Sequence, residues 1–93
     1  MDRDTAESVA IITLSYLAGD SERLGRFLAL TGISPARIRK VAREPGFLAA
    51  VLEHVLADER LLLGASRQAG REPSEFAQAR EALASRQWER DIP

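Results

Sequence analysis

His54 is the only histidine of the 93-residue sequence, and its surroundings come nearest to a metal-binding or acid–base pattern. Asp58 follows four positions later, a spacing that places both side chains on one face of a helix. The sequence contains no cysteine and no second histidine that could complete a zinc ligand set. We therefore predict no metal ion and no cofactor, and we interpret His54 as a packing residue at the edge of an apolar helix face.

Serine side chains are the other potential nucleophiles, but their sequence context does not indicate catalysis. One histidine would have to activate any of them, and no serine lies in the glycine-flanked turn of a nucleophile elbow. The glycines occur singly at predicted helix ends, so no phosphate-binding loop is indicated. We predict that the protein is not an enzyme and has no catalytic residue.

The most specific local pattern is that of a helix-turn-helix motif centred on Gly32. Apolar residues occupy the positions that the motif requires around this turn: Phe27, Leu28, Ile33, Ile38 and Val41. The second helix is predicted over 35–43, and its basic side chains could contact phosphates and base edges. Those basic side chains are Arg37, Arg39, Lys40 and Arg43.

Other features favour an ordinary helical corner with a solvated basic face. Leu28 is bulky where the motif usually has a small residue, and Pro45 limits the length of the second helix. The net charge is −1 overall, although residues 23–43 contain only basic charges. The sequence leaves open whether this segment binds nucleic acid, an acidic partner or only water.

Trp88 is the only tryptophan, and it lies in a C-terminal tail, 87–93, without helical periodicity. It could form a short docking motif with Ile92, because tryptophan is enriched at binding hot spots. Alternatively, its ring folds back onto the protein and closes the core. We expect no small-molecule substrate and no membrane partner.

Capping residues divide the chain into six helical segments. Asp4 with Glu7 is predicted to cap the first helix, which Gly19 would end in the left-handed conformation. The later boundaries follow from residues typical of helix starts and ends: Asp20 or Ser21, Gly32, Ser34 with Pro35, Pro45, Asp58, Gly70 and Pro73. The last helix is predicted to end near Ser85 or Arg86, and the fourth and fifth helices could be continuous.

Apolar spacing predicts how these helices pack. One stripe follows the i, i+3, i+4, i+7 pattern of a core-facing helix: Leu48, Val51, Leu52 and Val55. The first helix is apolar over most of its circumference, which indicates a central position or contact with a second copy. We predict one all-α domain over 1–93, with a helical body to about residue 86, forming a compact bundle of five or six short helices with a helix-turn-helix-like corner.

The sequence resembles a small uncharacterised family in three segments: SERLGRFLALTGISPARIRK, PGFLAAVLEHVLADERLLL and the closing WERDIP. This family is a helical domain of unknown function, about 90 residues long, found in alphaproteobacteria. The resemblance implies a bacterial cytoplasmic protein and no particular activity. Because catalytic and cofactor patterns are absent, and because the first helix is apolar and the tail carries Trp88, we expect a non-enzymatic regulatory or adaptor module that acts through protein–protein interaction or self-association. The alternative is a DNA-binding regulator that uses the basic helix 35–43.

Overall fold

The computed structural model describes residues 1–91, with side chains as far as residue 84, and within this range it contains only helices, turns and loops. The α-helices are α1 (Arg3–Ala18), α2 (Ser21–Thr31), α3 (Ile38–Val41), α4 (Pro45–Leu56), α5 (Glu59–Ala69) and α6 (Pro73–Asp91). A 3₁₀ turn, Pro35–Arg37, leads directly into α3. The predicted all-α fold is confirmed.

The core forms where α1, α4 and α6 pack against one another. Helix α2 packs against α1, and α5 packs against both α1 and α4. The predicted α4 stripe is buried throughout, as are Phe76, Ala79 and Leu83 of α6. Contacts with four neighbouring helices account for the apolar character of α1 without a second copy, although Ile11 stays 42% exposed. None of the described helices is both long and apolar enough to cross a membrane.

The two predictions for the ends of α1 were wrong. Asp2, rather than Asp4, is the N-cap, and its carboxylate accepts a hydrogen bond from the Thr5 amide. The earlier start adds the backbone bond from Ala6 N–H to the Asp2 carbonyl and brings Arg3 within reach of Glu7. Gly19 has φ −70°, in the right-handed region, because the extended Asp20 turns the chain at once into α2.

The predicted boundaries of α2, α4 and α5 are confirmed. Asp20 and Asp58 cap α2 and α5, each accepting hydrogen bonds from two backbone amides. Gly32 and Gly70 end these helices with φ of 73° and 66°, a conformation that favours glycine. The cap at Asp58 separates α4 from α5, so these helices are not continuous.

The predicted helix over 35–43 does not form as one unit. It consists of the 3₁₀ turn and the four-residue α3, and the Ser34 side chain makes no capping bond. So short a segment has few internal hydrogen bonds, and the extended Glu44 before Pro45 prevents its continuation. Helix α6 runs to Asp91, past the predicted end near residue 86. The docking-tail hypothesis depends on the Trp88 and Ile92 side chains, which lie outside the described part of the chain.

Candidate functional site

A groove of about 490 Å³ opens between the end of α2, the 3₁₀ turn with α3, and the first half of α4. We call it the α3–α4 groove. Its lining combines apolar and polar side chains: Thr31, Ile33, Arg37, Val41, Glu44, Gly46, Phe47 and Ala50. This volume lies within the range of ligand-binding clefts, ~300–1,000 Å³.

The floor of the α3–α4 groove is apolar and anchored in the core. Phe47 is only 6% exposed and packs edge-on against Phe27, with ring centroids 5.8 Å apart. Ile33 and Val41 are half-buried side chains that pack against the core. Because α3 is only four residues long, it covers this floor incompletely. The surface is therefore held in place by the core while part of it faces solvent.

Basic residues are concentrated in the segment that forms one side of the groove. The four residues predicted to contact nucleic acid or an acidic partner are all exposed: Arg37, Arg39, Lys40 and Arg43. None of them forms an ion pair with another described side chain. Only Arg37 lines the groove itself, where Glu44 is the single acid of the lining. Residues 37–44 thus carry four basic charges and one acidic charge, a net +3.

Arg23 has a different role from these exposed basic residues. Its Nη2 and Nε atoms donate to the Tyr16 carbonyl at 3.1 and 3.3 Å, and its guanidinium lies 4.1 Å from the Tyr16 ring centroid. The carbonyl is one of those left without a helical partner at the end of α1. Arg23 therefore joins α2 to α1 and is engaged in holding the fold together.

A second cavity, of about 530 Å³, is lined by Glu22, Arg23, Arg26, His54 and Leu61. The His54 ring packs edge-on against Phe27 at a centroid distance of 5.2 Å, as expected for a packing residue. Its Nε2 is buried and has no hydrogen-bond partner among the described groups. Burial lowers the pKa of His54 below its usual 6.5; Asp58 opposes this shift, and Arg26 adds to it.

The position of His54 does not favour ligand binding or proton transfer, because Nε2 is inaccessible from the second cavity. Asp58 is committed to the cap of α5, where it accepts hydrogen bonds from the Arg60 and Leu61 amides. Among the described residues, no group of three or more histidines, cysteines or acids could hold a metal ion. The α3–α4 groove is therefore the stronger candidate site.

Sequence reasoning found the basic side chains near the groove but missed the groove itself. Ile33 and Val41 were identified only as apolar positions of the helix-turn-helix pattern, which does not indicate a groove between them. A signal was present in Pro45 and Gly46, because proline ends the preceding helix and glycine adds no side chain at the start of the next. The depth of the groove, however, depends on how far α3 lies from α4.

These features define an all-α bundle with a partly basic surface groove. Residues 3–86 match the family described as "Protein of unknown function (DUF3572)", and the chain belongs to that family. This finding confirms the resemblance to an uncharacterised helical family and leaves its alphaproteobacterial source as a prediction. The chain matches none of the curated proteins and none of the solved structures with which it was compared.

Proposed function

We propose that this protein is a non-enzymatic regulatory or adaptor module that binds another protein through the α3–α4 groove. The observation that carries this proposal is the partly exposed apolar floor around Phe47, Ile33 and Val41, next to a segment whose basic side chains form no ion pairs. Apolar pockets with a polar rim are typical of binding surfaces. The bacterial, cytoplasmic setting implied by the family resemblance belongs to the same proposal.

Photo-crosslinking in the native cell tests this function. A benzophenone amino acid replaces Thr31, an exposed residue of the groove lining, and a matched variant carries it at Gln68, which is exposed on α5 outside the groove. We expect one protein, identified by mass spectrometry, to crosslink at Thr31 and not at Gln68. The absence of any protein crosslink specific to Thr31, with the variant folded by circular dichroism, would refute the proposal.

Self-association is one form of this proposal and has its own outcome in the same experiment. Crosslinks at Thr31 that join two copies of the chain would identify the partner as the protein itself. Leu30, which precedes Thr31 in the chain, is 72% exposed and is a candidate contact for such a dimer. Sedimentation of the purified protein at several concentrations would then show a dimer.

DNA binding is the second candidate, favoured by the four exposed basic residues. It has less support than protein binding because α3 contains four residues and is therefore only ~6 Å long, too short to follow a major groove. Four phosphate contacts would weaken binding about a hundredfold between ~50 and ~200 mM salt. Fluorescence anisotropy with labelled duplex DNA measures this change. No binding at the lower salt concentration would exclude the DNA-binding hypothesis.

A further inference from the structure

The groove floor offers anchoring sites for large apolar side chains of a partner. Ile33, Val41 and Ala50 are half-buried around the nearly buried Phe47, so a side chain placed here would be shielded from water on several sides. Well-packed, desolvated pockets of this kind carry most of the energy in protein interfaces. The volume of about 490 Å³ leaves room for more than one such side chain.

The charges around the floor indicate the sign of the partner. Arg37 and Val41 both line the groove, so a guanidinium group lies at the border of the apolar floor. Arg39, Lys40 and Arg43 follow within a few residues, and at this separation salt screens their combined field only partly. Glu44 balances Arg37 within the lining itself, and the three other basic residues leave the segment 37–44 with a net charge of +3. Charge complementarity therefore favours an acidic partner.

The fold also limits the conformation of the partner segment. Within residues 1–91 the protein has no β-strand, so it offers no sheet edge to which an extended peptide could add. A partner segment that satisfies its own amides and carbonyls needs no backbone hydrogen bonds from the protein. A helix does so internally and presents apolar anchors at i, i+3 and i+4 to a groove.

From these observations we infer that the α3–α4 groove binds an acidic amphipathic helix of a partner protein, with apolar anchors on the floor and carboxylates facing Arg37 and its basic neighbours. This inference rests on the proposed function and specifies the chemistry of the partner. It assigns Arg37 to recognition of charge, and Val41 and Ala50 to recognition of the apolar face.

A display library of random 16-residue peptides, selected on the full-length protein at ~50 mM salt, tests this inference without presupposing a sequence. We expect the selected peptides to combine Asp or Glu with large apolar residues at helical spacing. Labelled copies of the peptides then provide the probes for fluorescence anisotropy. Charge-reversed copies, in which Lys replaces every acid, serve as matched ligands that should not bind.

Variants of the protein locate the binding surface. Arg37→Glu should weaken binding by about tenfold or more, whereas Arg60→Glu makes the same charge change on an exposed residue of α5 outside the groove and should leave it unchanged. Ala50→Glu would place a carboxylate on the groove floor and should abolish binding. Glu44→Gln removes the opposing carboxylate and should strengthen binding several-fold, which loss of folding could not produce.

Each other outcome overturns the inference. Peptides without acidic residues, or binding that is insensitive to Arg37→Glu and Glu44→Gln, would show that the charge assignment is wrong. A failure to select any peptide would also overturn it, as would binding of duplex DNA alone. The proposed function would fail separately, through the absence of a crosslinked protein at Thr31, so the two failures are distinguishable.

Discussion

Gly64 lies in the middle of α5 at the point where the Tyr16 ring of α1 contacts this helix. A Cβ atom at this position would overlap the Tyr16 hydroxyl oxygen and lie 2.7 Å from Cζ, closer than such atoms approach in proteins. Replacement of a helical glycine by alanine normally stabilises a protein by about 0.5–1 kcal/mol. Here the overlap costs about 1–3 kcal/mol, because the Tyr16 ring must shift to make room and this ring is in contact with Arg23.

We therefore expect Gly64→Ala to lower the free energy of unfolding by about 1 kcal/mol, which corresponds to a fall in Tm of about 4–8 °C. Gly25→Ala is the matched control, because a Cβ there would meet no atom within 4 Å. It should stabilise the protein. Urea denaturation followed by circular dichroism measures both changes.

A double-mutant cycle with Tyr16→Leu isolates the steric term, since leucine lacks the outer ring atoms and the hydroxyl. In that background Gly64→Ala should become stabilising by about 0.5–1 kcal/mol, which reverses its sign. The reasoning would be refuted if Gly64→Ala stabilised the wild-type protein as much as Gly25→Ala does. An identical effect in both Tyr16 backgrounds would refute it equally.

Three further predictions concern stability. Burial lowers the pKa of His54, so its contribution to the free energy of unfolding should be complete above about pH 6.5 and should fall as the pH decreases through that value, because the unfolded chain then binds a proton more readily. His54→Phe should lack this part of the pH dependence in urea titrations. The same dependence of the free energy of unfolding on pH in both proteins would contradict the assignment. Arg23→Ala removes the bonds to the α1 carbonyl and should cost about 1–2 kcal/mol, whereas Arg26→Ala, on the same helix, should cost little in the same assay. Asp58→Ala should cost about 1 kcal/mol through loss of the α5 cap, while Asp4→Ala should have almost no effect on thermal unfolding; similar losses for both would contradict the revised start of α1.

The site was only partly predictable from the sequence. The basic residues of 35–43 were recognised because charge is a property of composition, and the structure leaves all four exposed. The helix expected to present them was wrong, because nine residues between two breaks, with few apolar contacts, do not sustain an uninterrupted α-helix. The groove was not predicted, because it is a space between elements and no single residue pattern encodes it.

The sequence by itself determined the all-α class and most of the helix boundaries. Asp20, Asp58, Gly32 and Gly70 act through hydrogen bonds and backbone conformations that involve only neighbouring residues. The core face of α4 was equally determined, because the helical period places its apolar residues on one side. The start of α1 was not determined so locally, since Asp2 and Asp4 are both suitable caps.

Only the tertiary structure decided what lies against these helices. It placed Tyr16 on Gly64, His54 on Phe27 and the half-buried Ile33 beside the groove, contacts between residues distant in sequence. Such contacts depend on how whole helices pack, because the same apolar face can be buried against several neighbours with similar free energy. Local hydrogen bonding therefore fixed where the helices begin and end, and side-chain packing fixed which surface remained open as a groove.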